Sequence, residues 1–180
     1  ELSFIILEAL AKGQSNAFAN YAESIITILV QYYKIDNIEL SRITLELFST
    51  ILDYVDLDPS FIVNYLQDLL NGYKTITSSL KHEVMNVISG IVCVCGEYSR
   101  EFSDSILQII WEGSQLTGSD DINIRNSCIQ ALGNLLVYAE NCNEIFDSAI
   151  EMILGLTNDN DKYLKDICLK IVEKLIKYRK

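Results

Sequence analysis

The sequence predicts an all-α chain built from repeated helix pairs, and three observations carry that expectation. Apolar residues recur with helical rather than alternating spacing along most of the 180 residues. A single proline and eight glycines leave long stretches free to be helical. The segment "NIRNSCIQALGNLL" at 123–136 returns forty residues later as "YLKDICLKIVEKLI" at 163–176. Ile124 then matches Leu164, Cys128 matches Cys168, Leu132 matches Val172 and Leu135 matches Leu175.

Taken in order, residues 2–11 read as a helix closing a truncated repeat, followed by pairs at 17–33 with 38–55, 59–73 with 80–96, 100–115 with 121–139, and 143–156 with 161–178. Phe18, Phe61, Phe102 and Phe146 open the first helix of each pair at spacings of 43, 41 and 44 residues. Leu40, Val84, Ile124 and Leu164 correspond in the second helices. Asp58 and Pro59 supply an N-cap and a first-turn proline for the 59–73 helix, and Asp120 and Asp121 are placed to cap the 121–139 helix. A two-helix unit of roughly 40–47 residues is the period of HEAT and armadillo arrays, where each unit buries its apolar face by stacking on its neighbours. We therefore expect an α-solenoid of about four HEAT-like pairs plus a partial N-terminal helix, one array over 1–180. An irregular helical bundle is the alternative.

With 49% hydrophobic and 22% charged residues, the chain can bury a sizeable core. Its apolar runs, such as "IVCVC" and "FIIL", fall far short of the roughly 18–20 residues that a membrane span requires, so no membrane insertion is expected. No secretory leader is recognisable, and an intracellular location is expected. The five cysteines, Cys93, Cys95, Cys128, Cys142 and Cys168, are odd in number and form no C-x-x-C pair. Cys93 and Cys95 would lie about 200° apart on a helix and could not grip one metal ion together. Buried, small-hydrophobe roles are expected for most of them. The opening at Glu1 without methionine and the helical run at the other end suggest a piece of a longer protein.

Against 25 Asp and Glu stand 14 Lys and Arg, a formal net charge of −11. Such a surface repels phosphate backbones, so nucleic acid is not expected as the main ligand and a basic protein segment is. On the 38–55 helix Glu39, Arg42, Glu46, Ser49 and Asp53 share one stripe opposite Ile43, Leu47 and Ile51. The matching stripes read Glu83, Asn86, Gly90, Cys93 and Glu97, then Asn123, Asn126, Gln130, Gly133 and Val137, then Tyr163, Asp166, Lys170, Glu173 and Lys177. Glu39, Glu46, Asp53, Glu83 and Glu97 are the candidate contacts for a basic partner. Trp111, the sole tryptophan, either packs between adjacent first helices or serves as an exposed aromatic anchor. His82, the only histidine, has no nucleophile motif to partner it and reads as solvent-facing or capping. Without a phosphate-binding loop, an H-E-x-x-H pair or a dinucleotide fingerprint, no enzyme activity, cofactor or metal is expected.

The stretch "VMNVISGIVCVCGEYSREFSDSILQIIWEGSQ" at 84–115, followed by "SDDINIRNSCIQALGNLL", resembles the C-terminal half of importin-β, with weaker likeness through "FANYAESIITILVQYY". The likeness lies in a helix ending in a "CG" turn, the "GEY" that follows it, and a lengthened linker before the next inner helix. The resemblance implies a superhelical nuclear transport receptor of the karyopherin-β family, working between cytoplasm and nucleus at the nuclear pore. It implies three partners: an importin-α-like adaptor or basic cargo segment, Ran-GTP that releases it, and nucleoporin phenylalanine–glycine repeats. The alternative is a static HEAT scaffold subunit of a phosphatase, vesicle-coat or chromosome-organising complex. Lys170 and Lys177 interrupt the acidic face in the last pair.

Overall fold

The computed structural model describes residues 2–116, 118, 121–138, 143–159 and 161–178, residues 143–145 by their backbone alone. Among these the chain is all-helical, without a strand. The α-helices are α1 (Leu2–Gly13), α2 (Ser15–Tyr32), α3 (Ile38–Tyr54), α4 (Pro59–Ile62), α5 (Leu66–Thr75), α6 (Lys81–Cys95), α7 (Ser103–Ser114), α8 (Ile122–Tyr138), α9 (Asn143–Leu156) and α10 (Lys162–Tyr178). The chain divides into two compact units, Glu1–Cys95 and Gly96–Lys180.

In the first unit α1, α3 and α6 form a row in which α3 packs along both neighbours. The α2 helix lies on α1 and α3, while α4 and α5 lie on α6. The period of α3 explains its place. Ser41, Thr44, Leu45, Leu47, Phe48, Ile51 and Leu52 are all buried, a stripe wide enough to face helices on two sides. The Asn37 carboxamide oxygen caps its start, accepting the Leu40 N–H at 3.0 Å. Where α3 meets α6, Leu52 comes so near Gly90 that an added Cβ would sit 3.0 Å from Leu52 Cδ1.

The stretch expected as one helix over 59–73 is broken by a 3₁₀ turn at Val63–Tyr65. Asp58 Oδ1 accepts the Ser60 N–H at 2.9 Å and Pro59 takes the first turn, so the start is as expected. The Asn64 carboxamide then donates to the Ser60 and Phe61 carbonyls, competing with the regular ladder. Tyr65 meets Phe61 edge-on, with centroids 5.3 Å apart.

In the second unit α8 is central, packed along α7 and α10, with α9 touching α8 and α10. The helix expected from residue 100 begins as a 3₁₀ stretch at Gly96–Phe102 and becomes α-helical only at Ser103. Gly96, at φ 50°, takes the left-handed conformation that ends α6, which other residues adopt only with strain. Asp161 caps α10, accepting the Tyr163 N–H at 2.8 Å, and its Oδ2 lies 4.0 Å from Arg125 of α8. Asp120 and Cys142 lie outside the described residues.

On α8 the expected exposed stripe is interrupted: Asn123 and Gln130 are exposed, whereas Asn126 and Gly133 are buried. The reason is that α8 packs on two sides, so most of its circumference is covered. A Cβ on Gly133 would fall 2.3 Å from Ile171 Cγ1 and 2.9 Å from Cγ2. Ile171 is β-branched and cannot swing away cheaply. Gly133→Ala should therefore destabilise the protein by about 1–2 kcal/mol in urea unfolding despite the gain in helix propensity. Gly155→Ala, where nothing lies within 4 Å, should be neutral to stabilising, by up to about 1 kcal/mol, because the propensity gain is unopposed.

Candidate functional site

The row α1–α3–α6 carries the acidic residues that the sequence singles out on its first stripes. Two hollows lie along it. One, of about 250 Å³, is lined by Phe4, Ile5 and Glu8 of α1 and by Glu39, Ile43 and Glu46 of α3, among others. The second, of about 360 Å³, is lined by Glu8, Glu46, Ser49, His82, Glu83 and Asn86, among others. Glu8 and Glu46 border both, so the hollows adjoin, and together they make a shallow cleft lined partly by apolar side chains and partly by carboxylates.

The carboxylates differ in how far they are already neutralised. Glu8 pairs with Lys12 one turn away on α1. Glu39 accepts from Arg42 Nη1 at 2.9 Å, and the same guanidinium donates through Nε to Glu83 Oε1 at 3.2 Å. Glu46 is exposed and has no ion-pair partner among the described residues. It offers an incoming cation a carboxylate that no internal base holds.

Glu83 departs from its expected place. It is only 5% exposed, because the first turn of α6 lies against α3 instead of facing solvent. Burial pushes its carboxyl up, yet the close approach of the His82 imidazole, its own backbone N–H and the Arg42 bond together outweigh burial and hold it below the ordinary range. His82 Nδ1 lies 2.8 Å from Glu83 Oε2. The histidine, 34% exposed, lies inside the first turn of α6 against a carboxylate and keeps part of its ring open to solvent.

The other candidates lie elsewhere. Asp53 is exposed near the end of α3, does not line the cleft, and has its carboxyl raised by partial desolvation. Glu97 stands on the 3₁₀ stretch after α6 and belongs to the second unit, so the α6 stripe does not continue into it. Trp111, also in the second unit, is 58% exposed on α7 at the edge of a groove. Glu8 was missing from the sequence reading; its helical pairing with Lys12 at a four-residue spacing was the available signal.

Cys95, Cys128 and Cys168 are buried, and Cys93 is partly so. Burial and then the charge of Asp58 push the Cys95 thiol up to about 12, and burial with Asp159 pushes Cys168 up to about 11, so both stay protonated at neutral pH. Among the described residues no group of three or more His, Cys, Asp or Glu is arranged to hold a metal ion, and no helix is long and apolar enough to cross a membrane. Comparison of the chain with protein-family models, with curated proteins and with solved structures finds no match.

The Arg42–Glu83 pair links α3 to α6, and its pH dependence follows from the lowered carboxyl. A carboxylate with a depressed folded-state pKa contributes fully above its ordinary value of 4.5 and loses that contribution as pH falls through the folded value. The unfolding free-energy gap between wild type and Glu83→Gln should accordingly narrow as pH falls from about 5 to about 3, measured by urea unfolding. A pH-independent gap would show that the carboxylate's charge plays no part. Arg42→Met should destabilise by about 1–2 kcal/mol at neutral pH, moderated because Arg42 is partly exposed and water can replace it.

Proposed function

We propose that the chain is a segment of an α-solenoid of HEAT-like helix pairs and a non-catalytic binding module of the importin-β type. On this reading it holds a basic adaptor helix or basic cargo segment, and Ran-GTP releases that ligand in the whole receptor. Nucleoporin phenylalanine–glycine repeats are its further partners, and it works between cytoplasm and nucleus at the pore. The observation that carries the reading is the cleft of α1, α3 and α6, with its partly apolar floor beside Glu8, Glu39 and Glu46. A basic amphipathic helix matches this chemistry: aliphatic side chains reach the floor and lysine or arginine side chains meet the carboxylates. The approximately forty-residue repeat and the resemblance of 84–115 to importin-β support it from the sequence side.

Release by a second ligand requires that the two ligands favour different shapes of the array. Helices that each pack mainly on neighbours supply many small interfaces over which such a difference can accumulate.

The test is titration of the protein with a fluorescent importin-α adaptor helix, with and without Ran-GTP, over a salt series. Saturable binding that weakens with salt and is reversed by Ran-GTP is expected. Glu46→Lys should weaken binding by about tenfold, whereas Asp56→Lys, the same charge change outside the cleft, should change it by less than about twofold. Absence of binding by both the helix and Ran-GTP would remove the transport reading and favour a static scaffold.

A further inference from the structure

A second surface, in the Gly96–Lys180 unit, has a different construction. Between α7 and α9 runs a groove of about 400 Å³. Ile110, Leu132 and Ala149 form its buried apolar base, and Leu107, Trp111 and Met152 stand higher on its walls. An indole left 58% exposed beside an apolar hollow gives up contact area that a partner's side chain could cover.

Charge determines which partner. Asp104 and Glu112 line the groove, and among the described residues no Lys, Arg or His does. The two bounding helices, "SDSILQIIWEGS" and "NEIFDSAIEMILGL", carry Asp104, Glu112, Glu144, Asp147 and Glu151 without one basic residue. Glu112 accepts a neutral bond from Gln108 at 3.1 Å and has no ion-pair partner among the described residues. The indole face adds an attraction for a guanidinium or ammonium group.

We infer that this groove is a docking site for a short basic protein segment that inserts one bulky aliphatic or aromatic side chain against Trp111 and places flanking Lys or Arg beside Asp104 and Glu112. The site is separate from the α1–α3–α6 cleft and does not depend on the transport reading. The apolar side chain supplies affinity by displacing water from the base, and the flanking charges supply selectivity.

Trp111 is the chain's only tryptophan, so its emission reports on this groove directly. The probe is the capped peptide Lys-Lys-Leu-Phe-Lys-Lys, titrated into the whole chain while that emission is followed. A saturating shift to shorter wavelength, complete below about 1 mM and weakened by salt, is expected. Replacing every lysine by glutamate, or both apolar residues by serine, should abolish the shift. Asp104→Lys with Glu112→Lys should weaken the lysine peptide by about tenfold or more, while Glu101→Lys with Glu173→Lys, exposed and outside the groove, should leave it within about twofold. The inference is overturned if the lysine peptide gives no saturable shift, if the glutamate peptide binds equally well, or if an uncharged phenylalanine–glycine peptide matches the lysine peptide.

Discussion

Close approach between neighbouring helices at a glycine is the constraint on which the packing in each unit depends. In the first unit Leu52 of α3 reaches Gly90 of α6; in the second, Ile171 of α10 reaches Gly133 of α8. A helix carries its side chains out to a radius of roughly 5 Å, so backbones draw together only where one side chain is missing. At the α3–α6 contact, where Leu52 meets Gly90, Glu83 of α6 also comes within reach of Arg42 of α3. The ion pair, buried only on the Glu83 side, follows from that packing, and the pairing in turn makes burial of the carboxylate tolerable.

This explains what the sequence could and could not show. Helix positions were legible because apolar spacing of three and four residues survives in every segment, and because Asp58 and Pro59 stand where a helix start needs them; the caps at Asn37 and Asp161 were not singled out in the sequence. The 3₁₀ interruption at Val63–Tyr65 was not legible, since it arises where the Asn64 side chain competes for the Ser60 and Phe61 carbonyls. Stripe reasoning succeeded for Glu39 and Glu46 and failed for Glu83, Asn126 and Gly133. It assigns one buried face per helix, whereas α6 and α8 are covered over much wider arcs. Glu97 failed differently, because a periodic stripe was extended past the Gly96 turn that ends its helix.

Burial also separates residues that composition treats alike. Of the carboxylates near the cleft, Glu83 is held by Arg42 and His82, Glu39 by Arg42 and Glu8 by Lys12, which leaves Glu46 as the least compensated. The net charge of −11 therefore overstates the local field that a ligand meets at the α1–α3 hollow. In the second unit the reverse holds: the helices beside the Trp111 groove carry carboxylates with no base among them.

The two surfaces consequently suit different energetic roles. Exposed carboxylates attract over about a Debye length and chiefly raise the association rate, while each exposed pair contributes roughly 0–1 kcal/mol. Residence on a surface needs apolar area withdrawn from water, at about 25 cal/mol per Å². The cleft offers many charges, most of them already paired, and modest apolar area, so an occupant must span several turns of helix to gain affinity. The groove offers an indole, a thioether and a buried aliphatic base within a few residues, so one inserted side chain suffices. A long amphipathic helix is therefore the ligand we propose for the first and a short anchored segment the one we propose for the second.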